Sequence, residues 1–365
     1  MRVADLGISI GLLPSGPTNS VLDIDGVGFG HTTIWRDDPP PPDGEGIART
    51  GVTVLDFGGN PWRRPIPAGG AVLNGCGECT GFVAIRELGI IESPIFLTST
   101  MQVGRVFDAA VQIMISEEPA IGIEDVTVPV VAECDDSFLS DPRTIRLTVD
   151  DVRAAVTEAR ACAGGTRFAE GAVGGGTGMS ALGYKGGIGT ASRILPDGHV
   201  VAILTMTNFG DRRRLTVGGL PVGRMLPDPD EQEAPERPAG SCIVVVVTDG
   251  LIDSAGCERL ARRAGLGLAR LGSTASHGSG EIFLACATGL RAERNESPTG
   301  VPVVGTALDP YFAAVVEATE EAALNSMLAA PTVVGRDGNT SHALPGAEVR
   351  RLLEQAGLTA GEGRG

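Results

Sequence analysis

Lysine is almost missing from this chain: Lys185 is the only one among 29 basic residues, a bias that reads as genome composition rather than chemistry. No Lys/Arg block offsets the formal net charge of −16. Such a surface repels phosphate backbones and anionic lipid, so nucleic acid is excluded as a partner. No apolar run approaches the ~18 residues of a membrane-spanning helix. The apolar stretch Leu6 to Leu13 is broken by glycine and followed by no A-x-A cleavage pattern, so neither a membrane segment nor a secretory signal is expected. The seven cysteines are odd in number and irregular in spacing, which fits free thiols in a reducing compartment and makes a cytoplasmic location the expectation.

Standard signatures are missing too. No G-x-G-x-x-G, Walker loop or HExxH occurs, which removes the usual marks of nucleotide binding and zincin chemistry. Gly7-Ile8-Ser9-Ile10-Gly11 spells a G-x-S-x-G elbow, but only six residues precede it and Pro14 follows within a turn, so the strand and helix that such an elbow needs have no room. Cys76 and Cys79 have metal-pair spacing, yet no second pair exists and His31, His199, His277 and His342 are scattered. No metal and no cofactor are expected.

What is present is ordinary globular composition, 42% hydrophobic and 20% charged, with 53 glycines that show no triplet period. Such glycine points to tight turns and close backbone approaches. Val200 to Leu204 and Ile243 to Val247 read as strands buried on both faces. Val126 to Val131 reads as an edge strand, because Pro129 removes a ladder donor. Helical spacing links Val103, Phe107, Val111 and Met114, and again Val152, Val156, Ala159 and Cys162. A third helix starts near Ser254 with Leu260, Ala264, Leu268 and Leu271 on one stripe, and a fourth opens at Asp309-Pro310. Mixed elements without a repeat argue one α/β body.

The clearest break is 225–240, MLPDPDEQEAPERPAG, read as an exposed processing loop. It runs straight into Ser241 and a buried strand. A cut between Gly240 and Ser241 would leave a serine whose own α-amine, with a pKa of about 7.7 to 8.0, serves as base for its hydroxyl. Gly240, lacking Cβ, suits the backbone that such an attack on its carbonyl needs. The glycine clusters at 171–179 and 185–189 read as tight backbone packing around a site.

The ordered motifs LGISIGLLPSGPTNSVLDIDGVGFGHTTI, RTGVT (49–53), AGGAVLNGCGECTG (68–81), AECDDSFLSD (132–141), AEGAVGGGTGM (169–179), YKGGIGTASR, TNFG, GSCIVVVVTDG, RLARRAGLGLARLGS and HGSGEIFLA resemble the DmpA family of L-aminopeptidase/D-esterases and the similar β-peptidyl aminopeptidases. The resemblance spans nearly the whole chain. It implies a self-cleaving N-terminal-nucleophile-like hydrolase with a four-layer αββα sandwich of the DmpA/ornithine acetyltransferase kind. It further implies one domain over 1–365, cut into an α chain of 1–240 and a β chain of 241–365, with the cleaved protomers forming a homo-oligomer.

Carried over by position, the resemblance implies Ser241 as nucleophile, Asn208 as oxyanion donor, and Ser279 and Glu281 in contact with the nucleophile and its amine. It implies Glu133 as anchor for the substrate's amino group. Phe138 stands where the resemblance puts a tyrosine that joins the oxyanion hole, so that hydroxyl is missing, and a water or a backbone N–H can take its place. Asp135 and Ser137 replace the common asparagine and glycine. The implied function is a serine aminopeptidase acting on small peptides, amides or esters. The alternatives are acyl transfer of the ornithine acetyltransferase type, separable by product analysis, or a degenerate binding protein marked by Phe138.

Overall fold

In the strand Ser241–Thr248 every residue is buried, yet the side chains divide between two apolar clusters: Val244 and Val246 in one, Ile243, Val245 and Val247 in the other. Successive residues of a strand project to opposite faces, so both faces of this sheet are covered, as an unbroken β-branched run requires. That division sets the layering of the molecule, a computed structural model that describes residues 1–144, 146–227 and 240–359.

Ten strands make the two main sheets: β1 (Gly28–Asp37), β2 (Ile47–Asp56), β3 (Ile66–Gly75), β4 (Ile90–Ile91), β5 (Ile95–Ser99), β6 (Val130–Cys134), β7 (Gly187–Ile194), β8 (Val200–Asn208), β9 (Ser241–Thr248) and β10 (Gly280–Ala287). The four-stranded sheet has the order β1-β2-β5-β6, and the six-stranded sheet β4-β3-β10-β9-β8-β7. Strand β9 runs antiparallel to β8 and parallel to β10.

Helices α1 (Val103–Glu117) and α2 (Val149–Cys162) cover the smaller sheet, where Val106, Ile113, Val152 and Val156 pack on Val52, Val54, Phe96 and Val131. Helices α3 (Ser254–Leu271) and α4 (Asp309–Leu328) cover the larger one, with Leu260, Ala264, Leu268 and Val315 against Val201, Ile203, Val244 and Phe283. Leu55, Leu97, Ala132, Leu204, Ile243 and Leu284 fill the space between the sheets. The result is the four-layer αββα sandwich.

The helix starts follow their sequences. Thr148 and Asp151 cap α2 reciprocally, and the Asp253 side chain accepts the Gly256 N–H ahead of α3. At α4 the proline start is present, but Asp309 does not cap, because a 3-10 turn over Gly305–Leu308 leads directly into the helix. Helix α4 is buried nearly all round, so Glu317 and Glu321 meet the buried Arg193, and Glu320 meets Arg270.

The edge strand expected over Val126 to Val131 is found at the end of its sheet, but it begins at Val130, after Pro129. The Val130 N–H goes to Ser93 Oγ, and Thr80 Oγ1 takes the Val131 N–H while donating to the Pro129 carbonyl. Most of the 225–240 segment, namely 228–239, lies outside the described residues. No helix among the described residues is long and apolar enough to cross a membrane.

Candidate active site

Ser241 opens β9, paired across to Asn208 at the end of β8 and to Gly280 at the start of β10. The alternation that sends Ile243, Val245 and Val247 between the sheets sends Ser241 there as well. The residue is 4% exposed, and among the described residues its Oγ makes no hydrogen bond of ordinary geometry, with only the weak Cys134 thiol beside it. A buried hydroxyl without an ordinary partner is uncommon and calls for an explanation. Gly240 is tightly enclosed: a Cβ there would come within 2.2 Å of the Asn208 carbonyl oxygen. The Gly240 carbonyl accepts the Gly280 N–H at 3.1 Å, so the ladder continues one residue past the Gly240-Ser241 bond.

On β10, Ser279 Oγ donates to Glu281 Oε1 at 2.5 Å, while Glu281 Oε2 is buried without a partner. Burial raises the Glu281 carboxyl above its ordinary pKa, and the Ser279 hydroxyl opposes that shift. Asn74 Nδ2 reaches the carbonyls of Ser279 and, at 2.9 Å, Ser276, which pins the turn before β10. Ser279 and Glu281 thus bond to each other in this state, and neither bonds Ser241 Oγ.

Glu133 comes from the opposite sheet, on β6. The Thr100 hydroxyl donates to Oε2 and the Glu78 N–H to Oε1 at 2.9 Å. Burial raises its pKa, and these two donors pull it back. The cation expected beside it is not supplied by the protein: among the described residues Glu133 makes no ion pair.

Asn208 bridges the sheets. Its Oδ1 accepts the Ser180 N–H at 2.9 Å, and its Nδ2 donates to the Asp135 carbonyl at 2.8 Å. Phe138 lines a small cavity of ≈ 60 Å³ together with Ser180, Asn208 and Gly240. The Asp135 carboxylate accepts from the N–H and the hydroxyl of Ser137, 2.9 and 2.8 Å away. Ser241, Glu133, Gly240, Ser137 and Arg143 share one cleft of ≈ 580 Å³. The arrangement offers a serine hydroxyl and a carboxylate without a counter-ion in one cleft, with the Asn208 amide in the small adjoining cavity that shares Asp135 and Gly240 with it.

Residues 19–341 match the profile of Peptidase family S58. The chain belongs to peptidase family S58. It is 35% identical, over 97% of its length and 91% of the relative's, to the β-peptidyl aminopeptidase BapA of Sphingosinicella xenopeptidilytica. Among solved structures it superposes on a Burkholderia sp. β-aminopeptidase with a TM-score of 0.86 at 38% identity, covering 98% of this chain and 99% of that one. It also superposes on the L-aminopeptidase D-Ala-esterase/amidase of Ochrobactrum anthropi with a TM-score of 0.89 at 34% identity, again over 98% and 99%. That enzyme is described as a variant of the Ntn hydrolase fold.

Around the site of this S58 chain stand residues that no motif singled out: Thr100 and the Glu78 N–H on Glu133, Ser180 on Asn208, and Arg143 in the cleft. Glu78 and Ser180 act through backbone N–H groups, which a sequence pattern of side chains cannot reveal. The glycine cluster is explained by contact, since a Cβ on Gly175 would meet the Leu97 carbonyl at 2.5 Å and one on Gly178 the Arg49 carbonyl at 2.3 Å. The cysteines are free; Cys76 is exposed and lines the cleft, whereas Cys79 is buried.

Proposed function

We propose that the protein is an aminopeptidase that cuts itself between Gly240 and Ser241 into chains of 1–240 and 241–365. The new N-terminal serine then removes N-terminal residues from small peptides, amides or esters. The observation that carries this reading is the buried Ser241 hydroxyl, without a hydrogen bond of ordinary geometry, in a cleft whose other wall holds Glu133 without a counter-ion. β-Peptidyl aminopeptidases and an L-aminopeptidase among the relatives support it, and keep both β- and α-amino acid residues in the substrate class.

In this mechanism Glu133 takes the substrate's ammonium, a charge-assisted contact that sets the chain end against Ser241. The Ser241 α-amine takes the Oγ proton while Oγ attacks the carbonyl carbon. Asn208 Nδ2 turns from the Asp135 carbonyl to the developing oxyanion. Collapse of the tetrahedral adduct expels the leaving amine with that proton and leaves an ester on Ser241, which water then hydrolyses. Glu281, its Oε2 free and its Oε1 held by Ser279, is placed to take the Ser241 ammonium that forms along the way. Cleavage leaves the sheet whole, because β9 stays paired between β8 and β10.

Mass spectrometry of the purified protein tests the first step. Two fragments meeting between Gly240 and Ser241 are expected, and a lasting single chain would remove the N-terminal nucleophile. Steady-state kinetics test the ammonium anchor. Glu133→Gln should raise KM for a free-amine substrate by about 10- to 100-fold, the worth of one charge-assisted contact. In the wild type KM should rise as pH falls through the raised pKa of Glu133, at a higher pH than an ordinary carboxylate allows. An unchanged KM in the variant would remove Glu133 from the amine site.

A further inference from the structure

We propose that Lys185 is a positioning residue for the oxyanion donor: its buried ammonium holds the Met179-Ser180 peptide unit, which fixes the Asn208 amide with its NH2 group toward the reacting carbonyl. This rests on the role given to Asn208 above.

One peptide unit carries both contacts. Its oxygen end, the Met179 carbonyl, accepts from Lys185 Nζ at 2.5 Å, and its N–H end, on Ser180, donates to Asn208 Oδ1 at 2.9 Å. The two ends are coplanar and point in opposite directions, so anchoring the oxygen aims the N–H. A fixed N–H donor in turn settles the Asn208 amide, since only Oδ1 can accept and Nδ2 must face the other way. A cation at one end of such a chain also polarises every bond along it and makes the last N–H a stronger donor.

Lys185 has no other evident task. It is fully buried, and its remaining contacts are the Gly176 carbonyl at 3.1 Å and the Gly186 carbonyl at 2.8 Å. Three carbonyls match the three donors of an ammonium, whereas a neutral amine has only two. Among the described residues no carboxylate pairs with it, and burial pulls its pKa down to about 7. A lone buried charge is costly, so its persistence in a chain otherwise free of lysine calls for a role that the charge itself fills. The loop it grips packs closely on the next strand, since a Cβ on Gly176 would lie 2.5 Å from the Ile188 nitrogen.

A double-mutant cycle tests the relay. Lys185→Met and Asn208→Ala are made singly and together, cleavage at Gly240-Ser241 is measured by mass, and turnover is normalised to free Ser241 N-termini. Lys185→Met should lower kcat by roughly 10-fold, a fraction of a full oxyanion donor, while KM stays within about two-fold. In the Asn208→Ala background the same change should have no effect on kcat, the sign of two residues acting as one unit. Full additivity, or a loss confined to KM, would overturn the proposal. Where Lys185→Met does not fold, Lys185→Gln, which keeps two N–H donors without charge, carries the same test. An Asn208→Ala variant with normal kcat would instead defeat the assignment of Asn208, which keeps the two failures apart.

Discussion

Ser241→Ala should yield one uncut chain of 37.4 kDa with wild-type folding and no hydrolysis above background. Both losses have one cause, because the proposed chemistry uses the same oxygen twice: once on the Gly240 carbonyl and then on the substrate. Removing a nucleophile of this kind costs roughly a million-fold in kcat. The variant is unusually clean. The Ser241 hydroxyl makes no hydrogen bond of ordinary geometry and has only the weak Cys134 thiol beside it, so its deletion leaves little unsatisfied, and stability should change by no more than about 1 kcal/mol. Thermal melting beside mass spectrometry and peptide turnover therefore separates chemistry from folding. An uncut, inactive chain with an unchanged Tm supports the N-terminal nucleophile, whereas a cut or active variant contradicts it.

Much of this architecture is written in local patterns. The runs 200–204 and 243–247 announce strands buried on both faces because apolar, mostly β-branched residues fill every position, and both are interior strands of the larger sheet. The four long helices follow from apolar spacing, and α2 and α3 from their capped starts as well. The strands β1 to β3 are far less legible. Thr32, Thr33, Gly51, Gly69 and Gly70 dilute their apolar alternation, and a Cβ would meet the Gly174 backbone at Gly51, the Glu258 backbone at Gly69 and the Phe82 ring at Gly70.

The site divides along the same line. Ser241, Asn208, Ser279 and Glu281 sit at strand ends that the register brings together, as Asn208 opposite Ser241 and Gly280 beside it. Resemblance could point to each of them, but only the pairing explains why residues so far apart in sequence meet at one end of the sheet. Glu133 enters from the other sheet, and its two neutral donors had no signal at all. Lys185 stood out only as the single lysine, and composition accounted for it. Its contacts are all to backbone carbonyls, which carry no mark in the order of side chains.

Asn208→Ala should lower kcat by about 100- to 1,000-fold with little change in KM. The split follows from when the amide acts. In the resting site Nδ2 is already satisfied by the Asp135 carbonyl, so it gains nothing from a neutral substrate carbonyl and exchanges partners only as negative charge builds. Phe138 pushes the expected loss toward the upper end of that range. A phenol at this place would share the oxyanion, whereas a phenyl ring lining the same small cavity as Asn208 leaves the amide with a larger part of the stabilisation. The Ser180 N–H also loses its acceptor in this variant, which should reduce stability by about 1 kcal/mol without unfolding the sandwich. Steady-state kinetics on the cleaved protein decide the matter: a loss below about tenfold would mean that a water or another N–H holds the oxyanion. A full loss with KM preserved makes Asn208 the principal oxyanion donor.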